Sequence, residues 1–344
     1  MDAWSFSDVL IQPNYSEIKS RSLCDPTSDL GKFKLSLPLI SANMKHVTGP
    51  KMVAIMAKYG GLGILHRFNS IEEGVEEFKE SLELIQREQQ ILPAELIYKI
   101  GVSIGVNEES RERFEKLYQV GARLFCIDVA HGHHILVKEM IEFVKNKYAD
   151  VILIAGNIAT LQGALDLHNW GADIIKVGIG PGSMCQTRRN VGVGVPQIQA
   201  LKEIREVSDE QNLNLKLIGD GGIKYTGDIS KCLVYADAVM IGWIIAGTSE
   251  TPGNVYQDPD GKFYKVYAGS ASGESKNSNG QKVKFIEGMT QTVPFRGKVK
   301  YILIKIKENL QSAMSYAGAQ NMEEFKNKAQ LKAITFAGQI ESKI

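Results

Sequence analysis

The sequence lacks the features typical of membrane, secreted and nucleic-acid-binding proteins. No apolar run approaches the roughly 18 residues that a membrane-spanning helix requires. The first stretch, MDAWSFSDVLIQPNYSEIKSRS, has no basic segment followed by an apolar core, so we expect a cytoplasmic protein without a signal peptide. The formal net charge is only +1, which gives no reason to expect a nucleic acid or an anionic membrane as partner.

Cysteine is also scarce, and its spacing excludes two further kinds of site. The four cysteines, Cys24, Cys126, Cys185 and Cys232, lie far apart and form no CxxC pair. Disulfide frameworks and zinc sites need other spacings, so we expect reduced thiols. The stretch AHGHH at 130–134 has no carboxylate or cysteine at ligand spacing, and we predict no metal there.

Short apolar runs separated by helix-length segments dominate the rest of the chain. Hydrophobic residues make up 44% of the 344 residues, enough for a large core. Apolar runs without alternation predict parallel strands that are buried on both faces. Eight such runs occur: Leu37–Met44, Gly61–Arg67, Ile97–Gly105, Arg123–Gly132, Asp150–Asn157, Asp173–Gly180, Leu215–Gly222 and Asp237–Gly242. They predict the α/β class and a (β/α)8 barrel. An open doubly wound sheet is the alternative, but its usual GxGxxG turn is missing.

The pattern breaks after the eighth run. Residues Tyr264–Gly297 are polar, rich in Ser, Gly and Asn, and too long for an ordinary connection, which predicts either a disordered segment or a mobile flap over a functional site. A helix over Val299–Ser315 then resumes the core pattern. We therefore expect one barrel domain over residues 1–344, with a flap insertion at 264–297.

Polar residues and glycines follow directly after the apolar runs, where barrels of this kind carry their function. Gly221, Gly222 and Gly242 follow the seventh and eighth runs and would expose backbone N–H groups to a phosphate. Asp220, just before them, could accept hydrogen bonds from ribose hydroxyls. The alternatives are that the glycines only end strands and that Asp220 only caps a turn.

Cys185 lies in a glycine-rich loop, GIGPGSMCQTRR, that follows the sixth run. A thiol acts as a nucleophile in its thiolate form, which nearby cations such as Arg188 and Arg189 would favour. Thr187 could pass protons if another group orients it. Carbonyl oxygens exposed by such a loop could also hold a monovalent cation. The alternative is a buried structural cysteine, which is how we interpret Cys126 and Cys232.

These motifs together resemble a known family. The stretches GIGPGSMCQTRR, DGGIKYTGDI, MIGWIIAGTSETPG, EGMTQTVPFRG and SAMSYAGA are similar, in this order, to the inosine-5′-monophosphate dehydrogenase and guanosine-5′-monophosphate reductase family. FSDVLIQPNYSEIKSRS and PLISANM match it near the start, so the resemblance covers nearly the whole chain. It implies a (β/α)8 barrel, usually in a homotetramer. It also implies a purine nucleotide substrate and a covalent thioimidate on Cys185.

Three features favour the reductase branch of that family, which converts guanosine monophosphate to inosine monophosphate and ammonia with NADPH. The segment Ile71–Ile97 leaves no room for the regulatory cystathionine-β-synthase-type modules of most dehydrogenases. The flap lacks the Arg-Tyr pair that activates water in the dehydrogenase. The stretches around Thr187 and Glu287 look like the reductase versions, in which these two residues form the proton-transfer pair.

The resemblance also implies contacts, residue by residue. The nucleotide would contact Ser183, Asp220, Gly221, Gly222, Gly242, Trp243, Gly269, Ser270, Lys284 and Gly288. The cofactor would contact Ser20, Arg21, Arg67, Asp128, Val129, Ala130, Ile179, Gly180, Ser312 and Ser315, some of them across a subunit interface. A potassium ion would lie at carbonyl groups of Gly180, Gly182 and Cys185, with Arg188 adjacent.

Some positions depart from the family pattern and leave alternatives open. Trp243 stands where a small residue usually follows the phosphate glycine, and Lys284 where many reductases have arginine. The stretch DVAHGHH differs from the form found in many reductases. A deoxynucleotide or modified purine nucleotide, and NADH as cofactor, therefore stay open. So do a dehydrogenase without regulatory modules, a nucleotide-binding pseudoenzyme and a flavin-binding barrel.

Overall fold

Eight parallel strands close into a barrel in the computed structural model, which describes residues 3–89, 98–269, 272 and 288–341. In chain order the strands are β1 (Leu39–Ser41), β2 (Leu62–Leu65), β3 (Ile100–Ile104), β4 (Leu124–Asp128), β5 (Ile152–Ile158), β6 (Ile174–Val177), β7 (Leu217–Asp220) and β8 (Ala238–Ile241). Each strand pairs with the next, and β8 pairs with β1 to close the ring. Every strand overlaps one of the predicted runs, so the prediction of a (β/α)8 barrel is confirmed.

Helices connect the strands and cover the barrel from outside. They are α1 (Pro50–Lys58), α2 (Ile71–Gln89), α3 (Glu108–Gln119), α4 (Ile135–Lys147), α5 (Leu161–Asn169), α6 (Gln197–Glu210), α7 (Thr226–Leu233) and α8 (Val299–Tyr316). A one-turn helix, Thr187–Asn190, lies between β6 and α6. None of the helices in the described ranges is both long and apolar enough to cross a membrane.

Burial on both faces explains why the strands are apolar throughout. All residues of β1, β2, β3, β6 and β8 are buried, because their side chains point either into the barrel or against the helices. Glycines with positive φ at Gly121 and Gly171 turn the chain from α3 into β4 and from α5 into β6. Within the eight barrel strands, one buried residue is charged: Lys176, which is 1% exposed.

The N-terminal end of the barrel is covered by a short hairpin of Ser28–Asp29 and Lys34–Leu35. The Ser28 hydroxyl donates to the carbonyl of Asp237 at 2.6 Å, directly before β8. The Asp237 carboxylate in turn accepts from Arg205 of α6 at 2.7 Å and contacts Lys326. These contacts fix the end of the barrel opposite the predicted site.

The segment after β8 differs from the predicted loop, because both of its ends are strands. Phe263–Ala268 pairs antiparallel with Thr290–Pro294, and Tyr256–Gln257 adds a third strand. Lys265 and Tyr267 are buried, as expected for one face of a strand. The predicted site residues Ser270, Lys284 and Glu287 lie outside the described residues, as does half of the segment predicted to be a flap.

Candidate active site

Cys185 lies at the C-terminal end of the barrel, in the loop between β6 and α6. Its Sγ atom is 3.1 Å from the hydroxyl oxygen of Thr187 and donates a hydrogen bond to it. Its backbone N–H donates to the carbonyl of Gly182 at 3.0 Å, which closes the loop on itself. The side chain is partly exposed, so a substrate can reach the sulfur.

The other three cysteines are buried and chemically different from Cys185. Cys126 lies in β4 and Cys232 in α7, as predicted for structural cysteines. Burial raises the pKa of Cys126 to about 12 and also raises the pKa values of Cys24 and Cys232. Of the four thiols in the sequence, Cys185 is therefore the one placed for chemistry.

The hairpin after β8 is attached to the cysteine loop through its backbone. Cys185 and Gly288 form an antiparallel bridge. The N–H of Met289 donates to the carbonyl of Met184 at 3.1 Å, and the N–H of Gly269 donates to the carbonyl of Met289 at 2.9 Å. Two predicted substrate residues, Gly269 and Gly288, are thus brought beside the cysteine.

A cradle of glycines lies next to the cysteine loop. Gly221 and Gly222 have positive φ values of 99° and 86°, which side chains rarely adopt. A Cβ atom on Gly221 would lie 2.9 Å from the Pro181 side chain and 3.1 Å from the backbone nitrogen of Gly182. The end of β7 therefore packs directly on the cysteine loop, with no space for a side chain between them.

Two hydroxyl groups complete this cradle. The Ser183 hydroxyl lies 3.4 Å from that of Tyr267. A Cβ atom on Gly242, at the end of β8, would lie 3.0 Å from the Tyr267 hydroxyl oxygen. Burial raises the pKa of Tyr267 to about 12, so its hydroxyl keeps its proton and can donate. The sequence predicts a loop over this segment, so Tyr267 is not among the predicted site residues.

Trp243 lies beside the cradle and is anchored by Arg296. The Arg296 guanidinium lies 5.2 Å from the centroid of the Trp243 ring and donates to the carbonyls of Trp243 and Ile244 at 2.8 and 3.1 Å. The ring centroids of Trp243 and Tyr267 are 5.8 Å apart. The large side chain at position 243 is thus packed against the cradle rather than left in solvent.

A charged network joins the ends of four strands beneath the cradle. The ammonium of Lys176 on β6 lies 2.8 Å from Oδ2 of Asp220 on β7 and 3.6 Å from Oδ1 of Asp128 on β4. It also donates to Oδ1 of Asn157 on β5. Burial by itself would lower the pKa of Lys176, but Asp220 and Asp128 outweigh it and raise that pKa above its ordinary value. In the sequence, the one sign of this network is a lysine inside an apolar strand run.

The predicted cofactor residues fall into two groups. At the barrel mouth, Nε of Arg67 donates to the carbonyl of Asp128 at 3.1 Å. On α8, Nη1 of Arg21 donates to the Ser312 hydroxyl at 3.1 Å, and the guanidinium lies over the Tyr316 ring. The remaining members adjoin these groups or the cysteine loop in the chain: Ser20, Val129, Ala130, Ile179, Gly180 and Ser315.

The residues predicted to bind a cation, Gly180, Gly182 and Cys185, would do so through their backbone carbonyl oxygens. The carbonyl of Gly182 already accepts the N–H of Cys185, and the Arg188 guanidinium donates to the carbonyl of Val195 at 2.6 Å. Among the described residues, no group of three or more His, Cys, Asp or Glu could hold a metal ion. Within the histidine stretch, His133 lies 2.7 Å from the Asp166 carboxylate of α5, a partner that the sequence did not reveal.

Relatives and solved structures resemble this chain over nearly its whole length. A GMP reductase of Lactobacillus delbrueckii subsp. bulgaricus is 35% identical over 331 residues, which cover 95% of this chain and 93% of the relative. An inosine-5′-monophosphate dehydrogenase of Borreliella burgdorferi is 34% identical, with 99% of this chain and 96% of the relative covered. A GMP reductase variant from Trypanosoma brucei, solved in complex with guanosine 5′-monophosphate, superposes with a TM-score of 0.89 at 27% identity and covers all of this chain and 98% of its own.

A family model agrees with these similarities. The model of the IMP dehydrogenase / GMP reductase domain matches residues 3–344. Its members are oxidoreductases that use a nicotinamide cofactor. The chain therefore belongs to the IMP dehydrogenase / GMP reductase family.

Proposed function

We propose that this protein is a GMP reductase, which converts guanosine monophosphate to inosine monophosphate and ammonia with NADPH. The observation that carries the proposal is the pairing of Cys185 with Thr187, with 3.1 Å between Sγ and Oγ1, in a loop bridged to Gly288. Thr187 is one member of the proton-transfer pair that the reductase motifs imply. Relatives named GMP reductase, one of them 35% identical, support this activity, and two inosine-5′-monophosphate dehydrogenases at 34% identity make the dehydrogenase the second candidate.

The glycine cradle would bind the 5′-phosphate of the nucleotide. Backbone N–H groups of Gly221, Gly222 and Gly242 and the hydroxyls of Ser183 and Tyr267 supply donors without any charged side chain. Asp220, at the end of β7 beside this cradle, would accept from the ribose hydroxyls. The purine base would then extend toward Cys185. This geometry supports a purine mononucleotide as substrate.

The Cys185 thiolate would attack C2 of the purine and form the thioimidate. The amino group leaves as ammonia only if it receives a proton, because a neutral amine is otherwise a poor leaving group. Thr187 and Glu287 would supply that proton, and Gly288, the chain neighbour of Glu287, bridges Cys185. A nicotinamide cofactor, when bound, would supply the hydride to C2. The bond between C2 and Sγ would then break, which returns the Cys185 thiolate and releases inosine monophosphate.

The residues present fit the cofactor and the cation that this activity implies. Arg67 and Asp128 at the barrel mouth, joined at 3.1 Å, would hold the cofactor beside Cys185. Neutral carbonyl oxygens of Gly180, Gly182 and Cys185 suit a potassium ion. The contact of Arg21 with Ser312 on α8 is exposed and would face a neighbouring subunit in a homotetramer.

The segment 264–297 would close over the site and exclude water, which would divert the intermediate to xanthosine monophosphate.

Absorbance at 340 nm tests the activity directly. With guanosine monophosphate and NADPH we expect absorbance to fall while ammonia is released. With inosine monophosphate and NAD we expect no rise. A rise only in the second mixture would make the protein a dehydrogenase. Silence in both mixtures, with nucleotide binding retained, would favour an altered substrate or a nucleotide sensor.

A methyl group in the cradle tests the phosphate site. The Gly242→Ala substitution would place a Cβ atom 3.0 Å from the Tyr267 hydroxyl, so we expect nucleotide affinity to fall about 10-fold to 100-fold. Isothermal titration with guanosine monophosphate measures this affinity. Gly227→Ala is the matched control, because a Cβ atom there meets nothing within 4 Å, and its affinity should equal that of the wild type. Equal affinity in both variants would contradict a phosphate site at Gly242.

A further inference from the structure

We infer that Lys176 is a positioning residue that sets the ribose subsite by holding one oxygen of Asp220, and this inference rests on the proposed function. Lys176 is not among the site residues that the family resemblance implies. The lysine is buried in a strand run that is otherwise apolar, and its side chain is 2% exposed. An ammonium so buried persists only where partners compensate its loss of water, and its partners here come from three different strands.

The two oxygens of Asp220 have different surroundings. Oδ2 accepts from the Lys176 ammonium at 2.8 Å and from Nδ2 of Asn157 at 2.9 Å. Both protein donors therefore converge on the same oxygen. A carboxylate held through Oδ2 in this way would present Oδ1 to the mouth of the barrel, and the Asp220 side chain is 20% exposed. Oδ1 would then be oriented to accept a ribose hydroxyl.

Charge explains why a lysine is needed at this place. Asp128 and Asp220 are both within ion-pair distance of the same ammonium, at 3.6 and 2.8 Å. Removing the cation would leave the two carboxylates to repel each other across the barrel mouth. Asp220 would then turn away or take up a proton, and in both cases its contact with the ribose would weaken. The phosphate cradle is built from other residues and would remain.

Because the ribose and phosphate contacts come from different residues, the ratio of the affinities for two nucleotides tests the inference. A loss of stability alone would not change that ratio. We expect wild-type protein to bind guanosine monophosphate about 10-fold to 100-fold more tightly than 2′,3′-dideoxyguanosine monophosphate, as measured by isothermal titration. In the Lys176→Met variant we expect this ratio to fall to less than about threefold, because the Asp220 contact is lost while the phosphate contacts persist. Lys176→Arg keeps the charge and should retain a ratio above that of Lys176→Met.

Lys145→Met is the matched control. The Lys145 ammonium also pairs with an aspartate, Asp173, at 2.5 Å, but Asp173 precedes β6 at the opposite end of the barrel. Its loss should lower stability and leave the ratio at the wild-type value. If circular dichroism shows that Lys176→Met is unfolded, Asn157→Ala replaces it. This variant removes the other donor to Oδ2 and should lower the ratio at least about threefold.

The outcomes separate the inference from the proposed function. A wild-type ratio retained in a folded Lys176→Met variant would overturn the inference. Equal binding of the two nucleotides by the wild type would overturn it as well, while leaving nucleotide binding intact. A wild type that binds neither nucleotide would overturn the proposed function together with the inference.

Discussion

Replacing Cys185 by alanine is expected to lower kcat about 10³-fold or more while changing nucleotide affinity only a few-fold. The reason is that the sulfur would form the covalent bond to the purine, whereas the phosphate and ribose contacts come from other residues. Cys185 Sγ is partly exposed and is hydrogen-bonded to Thr187 at 3.1 Å, and the other three thiols are buried. No neighbouring thiol can therefore replace it.

Turnover at 340 nm and isothermal titration with guanosine monophosphate measure the two quantities on the same preparation. Cys232→Ala is the control, because it also removes a thiol, but one buried inside α7. That variant should keep turnover within about twofold of the wild type if the lost volume is tolerated. If Cys185→Ala keeps a tenth or more of wild-type turnover, the covalent mechanism is wrong.

The Asp237→Ala substitution is expected to lower the free energy of unfolding by about 3–5 kcal/mol at neutral pH. Asp237 is 3% exposed, and its Oδ2 accepts from Arg205 and from the backbone N–H of Leu217, each at 2.7 Å. Lys326 contacts Oδ1. Without the carboxylate, two largely buried cations would lie close together without a counter-charge at the start of β7 and β8.

The same network predicts how the free energy of unfolding depends on pH. Burial by itself would raise the pKa of Asp237, but Lys326 and Arg205 outweigh it, and the pKa lies below its ordinary value. A carboxyl whose pKa is lowered by folding stabilises the protein above its unfolded pKa, about 3.9 for aspartate. That stabilisation is lost as the pH falls through the folded pKa. The difference between wild type and Asp237→Ala should therefore be full at pH 7 and should shrink below about pH 4.

Urea unfolding followed by circular dichroism measures both effects. The control is Asp150→Ala, which removes an ion pair with Arg123 at 2.6 Å, but from a carboxylate that is 52% exposed. Water screens such a surface pair, so the control should lose less than about 1 kcal/mol. An equal loss in the two variants would contradict a stabilising role for burial of the Asp237 network.

Local sequence was sufficient to predict the barrel and to place the candidate site residues at one end of it. Strands such as Asp173–Gly180 could be predicted because burial on both faces demands a continuous apolar run, here realised as Ile174–Val177. Cys185, Gly221 and Gly242 could be predicted because each follows such a run, and strand ends meet at one rim of a parallel barrel. The structure brings the loops that hold them together, as the packing of Gly221 on Gly182 shows.

The partners of each side chain could not be read from the sequence. The hairpin that contains Tyr267 was missed because its strand borders a long polar stretch, and strand pairing depends on a segment more than twenty positions away. Lys176 gave only the signal of a charge inside an apolar run. Its partner Asp220 is 44 residues distant, and only closure of the barrel brings the two together.

The sequence by itself determined the order of strands and helices, the position of the Cys185 thiol and the glycines beside it, because these depend on local patterns of burial and backbone freedom. Only the tertiary structure decided which groups form ion pairs or hydrogen bonds with each other. Lys176 with Asp220, Asp237 with Arg205, and His133 with Asp166 are pairs from different segments of the chain. Each pair forms because strands and helices distant in sequence pack side by side, and packing over such distances leaves no local signal in the order of residues.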